Sequence, residues 1–200
     1  MKLLLFSDVH GSPSRCRALV EQSRAVDIVI GAGDFACQGS GLEKTIGWLA
    51  EITKPFLVVS GNNETPEQLL QAIAPFAHIH LLHGQAITLS GETFYGVGGG
   101  IPITPFGDWS YDLDEAQATE LLRNCPERAI LITHSPPKGY VDRSSAGISL
   151  GSTAIAETLR RKRPKLHVCG HIHGSAGQTA RLGDSIIINA GPFGFVHTLQ

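Results

Sequence analysis

Five short apolar runs in this chain each stop at a glycine or a polar residue, and Asp, His and Asn follow at once. Lys2–Phe6 leads into Ser7-Asp8, with His10 two residues on. Asp27–Ile30 leads into Gly31-Ala32-Gly33-Asp34, and Phe56–Val59 into Ser60-Gly61-Asn62-Asn63-Glu64. Ala129–Thr133 ends at His134, and Leu166–Cys169 ends at Gly170-His171-Ile172-His173. Runs of this length without alternation read as strands buried on both faces. A glycine at a strand end frees the backbone to turn. In an open α/β sheet the carboxyl ends of parallel strands share an edge, and ligands bind there.

Helix signals lie between these runs. Ser12-Pro13 starts a helix carried by Arg15–Ser23, and Leu42–Ile52 supplies a second. Thr65 is a good N-cap with Pro66 at the first helical position of a helix through Ile73. Asp114–Arg123 and Ser152–Arg163 are further helices, the last stopped by Pro164. The middle of the chain changes period. His78–Leu82, Ala86–Leu89 and Thr93–Val97 alternate and are separated by His83-Gly84 and Ser90-Gly91, which predicts antiparallel strands joined by tight turns. Thr179–Arg181, Ser185–Asn189 and Phe195–Thr198 predict more antiparallel strand. Two long loops, Gly98–Asp112 and Ser135–Leu150, complete the chain. The pattern predicts an α/β (α+β) fold in which two sheets pack face to face with helices outside. With 200 residues, no repeat and no linker, one domain over 1–200 is expected.

Composition narrows the class. The chain is 42% hydrophobic and 17% charged, with a formal net charge of −2. That balance gives no reason to expect nucleic-acid binding or a membrane surface. The four cysteines, Cys16, Cys37, Cys125 and Cys169, form no C-x-x-C pair. Free thiols in a reducing, cytoplasmic setting are expected. Leu3–Phe6 is too short for a signal-peptide core, and no stretch approaches a membrane span.

The five strand ends would gather seven groups able to bind metal: the carboxylates of Asp8 and Asp34, the imidazoles of His10, His134, His171 and His173, and the amide oxygen of Asn62. One divalent ion takes roughly four to six ligands, so seven suit two ions ~3.5–4 Å apart that share a carboxylate. Mixed imidazole and carboxylate ligands suit Mn, with Fe, Zn or Ni as alternatives, whereas calcium would want oxygen alone.

Asp8-x-His10, Gly33-Asp34, Gly61-Asn62, His134 and Gly170-His171-x-His173 resemble the calcineurin-like metallophosphoesterases in order, placement and spacing. The likeness covers nearly the whole chain. The small size and the block from Arg163 to His173 look most like the compact branch related to class III cyclic-nucleotide phosphodiesterases. The resemblance implies a four-layer α/β/β/α sandwich. It implies that Asp8, His10 and His173 hold one metal, that Asp34 bridges, and that Asn62, His134 and His171 hold the second. It also implies hydrolysis of a small phosphate ester, nucleotides among the candidates, by in-line attack of a hydroxide held between the metals. A phosphodiesterase is the expected activity. The alternatives are a phosphomonoesterase or protein phosphatase of the same fold, or a non-catalytic interaction module such as the retromer subunit that resembles this fold.

One position departs from the family. The third block usually reads Gly-Asn-His-Asp/Glu, and that His assists catalysis. Here Asn63 stands in its place, and an amide gives up no proton at neutral pH. General acid catalysis is typically worth ~10²–10⁴-fold. Substrates with poor leaving groups should therefore suffer. Asn63 remains a candidate phosphate contact, and Glu64 reads as a charge leading into the next helix.

Other features read more plainly. His78, His80 and His83 are expected on the surface or in turns. Gly96–Gly100 lacks the residues of a phosphate-binding loop and is read as a loop. Arg160–Arg163 complements a helix C-terminus. In the long loops, Phe106, Trp109 and Tyr111 are candidate stacking residues, and Trp109 is taken as a substrate contact. Arg143 is a candidate phosphate clamp.

Overall fold

Leu3, Leu5, Ile28 and Ile30 point to one face of two neighbouring strands, Leu4, Phe6 and Val29 to the other, and all seven are buried. Both faces of these strands must therefore be covered. The computed structural model, which describes residues 1–199, shows how.

The chain runs β1 (Lys2–Phe6), α1 (Pro13–Ser23), β2 (Ile28–Gly31), α2 (Leu42–Leu49), β3 (Phe56–Val58), α3 (Pro66–Ile73) and β4 (Ile79–Leu81). It continues through β5 (Gln85–Leu89), β6 (Glu92–Val97), α4 (Glu115–Leu122), β7 (Ile130–Thr133), α5 (Thr153–Lys162) and β8 (Leu166–Cys169). The hairpin β9 (Thr179–Leu182) and β10 (Ser185–Asn189) precedes β11 (Phe195–Thr198). One sheet has the order β11-β1-β2-β3-β4, the other β5-β6-β7-β8-β10-β9.

Three apolar clusters separate four layers. Leu4, Phe6, Phe56 and Val58 pack under α1, α2 and α3 with Leu19, Ile46 and Leu69. Leu3, Ile30, Leu57, Phe94, Ile132 and Val168 fill the space between the sheets. Tyr95, Leu131 and Ile187 pack under α4 and α5 with Leu122, Ile155 and Leu159. This is the α/β/β/α sandwich. The helix starts follow local chemistry: Thr65 with Gln68 and Asp114 with Gln117 form capping boxes, and Pro13 and Pro66 open their helices. Among the described residues no helix is long and apolar enough to cross a membrane.

Two strand pairings differ from expectation. β4 does not join an antiparallel meander; it pairs parallel with β3, Phe56 opposite Ile79, at the edge of the first sheet. Of the three mid-chain strands, β5 and β6 alone form an antiparallel hairpin. An alternating edge strand looks the same in either orientation, and α3 supplies the crossover that makes the parallel pairing. In the tail, β10 is antiparallel to β9 but parallel to β8, and β11 crosses to the first sheet to pair with β1.

His167 is fully buried in β8 on the helix side of its sheet. Its Nε2–H donates to Thr133 Oγ1 (2.8 Å), whose own proton goes to the Ser135 carbonyl (2.6 Å). Nδ1 has no partner. Burial holds this imidazole down at about 3. The folded state thus prefers neutral His167, and the unfolded chain binds the extra proton below about pH 6.5. The stability contribution is complete above that pH and is lost as pH falls toward the folded value. It should amount to about 3 kcal/mol between pH 6.5 and 4. Urea unfolding of His167→Leu in chelator across this range should show a flatter pH slope than the wild type. Identical slopes would exclude His167 as a source of the acid sensitivity.

Candidate metal centre

The parallel strands of both sheets end on one edge of the sandwich, so loops from different sheets meet there. The residues after β1, β2 and β8 turn sharply. Asp8, His10, Asp34 and His171 all have positive φ, between 45° and 63°. Asp and His are among the side chains that enter this left-handed region most readily, and such residues gather at functional sites. A Cβ on Gly61 would collide with the Asp34 carboxylate and amide, and one on Gly170 with Ser7 and Asp8. These glycines let the ligand loops approach.

Two groups of three result. Asp8, His10 and His173 offer ligand atoms within 4.8 Å of one another, and so do Asp34, His134 and His171. His10 Nδ1 bonds the Ala36 carbonyl (3.2 Å), which leaves Nε2 facing His173 Nε2 (3.2 Å) and Asp34 Oδ2 (3.6 Å). His134 Nδ1 bonds the Ala32 carbonyl (2.7 Å), which leaves Nε2 facing Asn62 Oδ1 (3.3 Å) and Asp34 Oδ1 (3.4 Å). His173 Nε2 lies 3.4 Å from Asp8 Oδ1. Asn62 donates its amide to Ser110 Oγ (2.9 Å), Ser110 donates to Asp112 (3.0 Å), and Oδ1 of Asn62 is thereby aimed inward.

The chemistry of this donor set fits metal. Once the Nδ1–H of His10 and that of His134 are spent on carbonyls, their Nε2 lone pairs face the oxygens of Asp34 and Asn62. Only a shared proton or a cation reconciles them. Without metal, protons take that part. Burial alone would lower His134, but the Asp34 carboxylate overrides it and raises the imidazole to about 9. Burial would raise Asp34, yet the His134 and His10 charges hold it below the usual carboxylate range. Asp8 is likewise lowered, its burial outweighed by His173 and His134. His171 is depressed to about 4 by burial and by neighbouring His134. The groups are unequal in exposure: Asp34 and His134 are buried, whereas the His173 side chain is 64% exposed.

Glu64 is not the surface charge leading into a helix that its position suggests. It is buried, and its carboxylate accepts the amides of Asp34 (2.8 Å), Ala36 (2.9 Å) and Gly61 (2.7 Å). It therefore ties the loop after β2 to the loop after β3. Burial pushes its carboxyl up to about 7, helped by the Asp34 carboxylate and opposed by the Gly61 and Ala36 amides. Asn63 lines the cavity above the two groups and also holds Asp34. Its Nδ2 donates to Asp34 Oδ2 (2.7 Å), its Oδ1 accepts from the Gln38 amide (2.6 Å), and its own amide bonds Asp34 Oδ1 (3.0 Å). These bonds make Asn63 a residue that orients Asp34.

The candidate substrate residues part ways. Trp109 lines the cavity above the two groups, with Phe106 stacked on it. Tyr111 instead packs against His83, which lies in the turn between β4 and β5 and accepts the Gly98 amide. Arg143 does not line the cavity: its guanidinium donates to the Gly147 carbonyl (2.8 Å) within its own loop. No signal in the sequence distinguishes an arginine that clamps phosphate from one that closes its own turn. Ser110 and Asp112, which aim Asn62, carry no sequence signal either, because they are distant in the chain and ordinary in type.

Fold and site together define a mixed α/β sandwich protein with two abutting His/Asp groups suited to metal ions. Residues 1–175 match the family model of the calcineurin-like phosphoesterases, and the chain belongs to that family. Human and mouse proteins named metallophosphoesterase domain-containing protein 1 are each 29% identical over 197 residues, covering 82% of this chain. The match spans 59% of the length of those relatives. A Thermus thermophilus protein superposes with a TM-score of 0.77 at 17% identity, over 96% of this chain and 89% of its own. A dimetal phosphatase from Danio rerio superposes with a TM-score of 0.63 at 16% identity, over 94% and 86%. These structural likenesses bear on the fold.

Proposed function

We propose that this chain is a single-domain, dinuclear-metal-dependent phosphoesterase that hydrolyses phosphodiesters. One observation carries the reading: Asp34 presents one carboxylate oxygen toward His10 of the first group and the other toward His134 of the second. Asp8, His10 and His173 would hold one ion, Asn62, His134 and His171 the other, and Asp34 both. When bound, such ions lower the pKa of water and neutralise charge on phosphoryl oxygens. The chain's own residues then hold the ligand set in register. Ala32 and Ala36 fix the two imidazole tautomers, Ser110 aims Asn62, and Asn63 and Glu64 hold Asp34 and its loop.

The diester reading rests on the likeness of the Arg163–His173 block to the compact phosphodiesterase branch, and Asn63 favours esters with good leaving groups. Its Nδ2 donates to Asp34 and its Oδ1 accepts from Gln38, and it has no acidic proton to give a leaving alkoxide. Activated aryl diesters need no such proton, since a nitrophenolate leaves with a conjugate-acid pKa near ~7. The intact pair of metal-ligand groups argues against a module that only binds partners, which has no use for them.

Elemental analysis of Mn-reconstituted protein should give two ions per chain. The ion at the more exposed Asp8–His10–His173 group should leave first on chelation. The loaded protein should turn over a bis-nitrophenyl phosphate faster than the nitrophenyl monoester. A stoichiometry of one under saturating Mn, Fe, Zn and Ni alike would remove the dinuclear reading. A monoester preference would remove the diester one.

A further inference from the structure

Eight large hydrophobic side chains are exposed among the described residues, and five of them stand on the two loops beside the metal-ligand groups: Ile103, Phe106, Trp109, Ile148 and Leu150. Ile103 is 66% exposed. Clustered exposed apolar side chains mark a binding surface, whereas scattered ones are ordinary. Four of the five, with Pro105 and Ile172, wall a cavity of about 780 Å³ whose floor carries His10, Asp34, Asn62, His171 and His173. The apolar surface is thus continuous with the candidate catalytic groups.

The cavity has no lysine or arginine in its lining. Beyond the groups on its floor, a polyphosphate tail, an acidic peptide or a nucleic-acid backbone would find no lysine or arginine to replace its counterions. An uncharged hydrocarbon arm would gain by leaving water. The wall is also held in place before anything binds. Asp112 accepts the Thr104 amide (2.9 Å) and hydroxyl (2.6 Å), and Ser135 accepts the Ile101 amide (2.7 Å). Phe106 and Trp109 stack at 5.5 Å with an interplanar angle of 17°. A wall whose backbone is held in this way loses less freedom on binding.

We infer that the cavity receives the organic arm of the substrate, and that the substrate is an ester with a single phosphoryl group and an uncharged apolar alkyl or aryl arm of several carbons. This rests on the phosphoesterase reading and narrows it.

The test uses Mn-loaded protein carrying Trp48→Phe, which leaves Trp109 as its one indole, since the chain has two tryptophans. Non-hydrolysable methyl-, ethyl-, propyl- and butylphosphonate are titrated against Trp109 fluorescence. Affinity should rise roughly threefold per added methylene. Ile103→Ser and Leu150→Ser should each flatten that series. Equal affinity for methyl- and butylphosphonate, with turnover of aryl diesters intact, would overturn the inference and leave the phosphoesterase reading standing. No phosphonate binding and no turnover of any ester would overturn both. Trp109 emission that responds to protein concentration or to phosphatidylcholine vesicles, but not to phosphonate chain length, would assign the patch to a second copy or a lipid surface and overturn the inference.

Discussion

Asp34→Asn should lower phosphodiester turnover by ~10³-fold or more, a greater loss than Asp8→Asn or Asn62→Ala. Removing one preorganised electrostatic partner from an active site typically costs ~10²–10³-fold. Asp34 faces both groups, so under the proposed assignment its charge would serve two ions where each of the others would serve one. The substitution is mild for the backbone. Residue 34 has φ 58°, a region that asparagine enters readily. The fold should persist, and the loss should appear together with reduced metal content. Near-normal turnover by Asp34→Asn would mean that Asp34 does not bridge. Loss of activity with two ions still bound would mean that its role lies elsewhere than in holding the pair.

Glu64→Ala should be the most destabilising single change in this region. It leaves three buried amides, those of Asp34, Ala36 and Gly61, without an acceptor. Each unsatisfied buried donor costs ~1–3 kcal/mol. With partial relaxation the total should reach roughly 3–5 kcal/mol, a drop in Tm of roughly 10 °C. Glu64→Gln should lose about half as much. Its remaining oxygen can keep the Asp34 and Gly61 amides, but its NH₂ would face the Ala36 N–H. Thermal unfolding in chelator isolates this effect from metal binding. A Tm for Glu64→Ala within about 2 °C of the wild type would show that the two loops hold together without the carboxylate.

Much of the architecture was legible in the chain because burial on both faces leaves a plain mark. Leu3–Phe6 and Ile130–Ile132 have no polar residue to turn outward, so covered strands and outer helices followed. Pairing was less legible. The alternation over His78–Leu82 is that of an edge strand in either direction. Only the crossover through α3 and the pairing of Ile79 with Phe56 make it parallel.

The candidate ligands were readable for a different reason. Asp8, His10, Asp34, His134, His171 and His173 each follow an apolar run that identifies them as strand-end residues, and strand ends in such sheets share an edge. What surrounds them was not readable. Glu64 looks like any acid before a helix, and Asn63 like a missing acid catalyst. Their actual work, accepting three amides and orienting Asp34, depends on loops separated by about thirty residues in the chain. Arg143 has the right charge for a phosphate clamp, yet its own turn captures it. Sequence by itself therefore determined the layers and the candidate ligand set, because hydrophobic period and residue type are local. Tertiary structure alone decided orientation, tautomer and the apolar wall over the site, because hydrogen bonds and exposure depend on which distant segments meet.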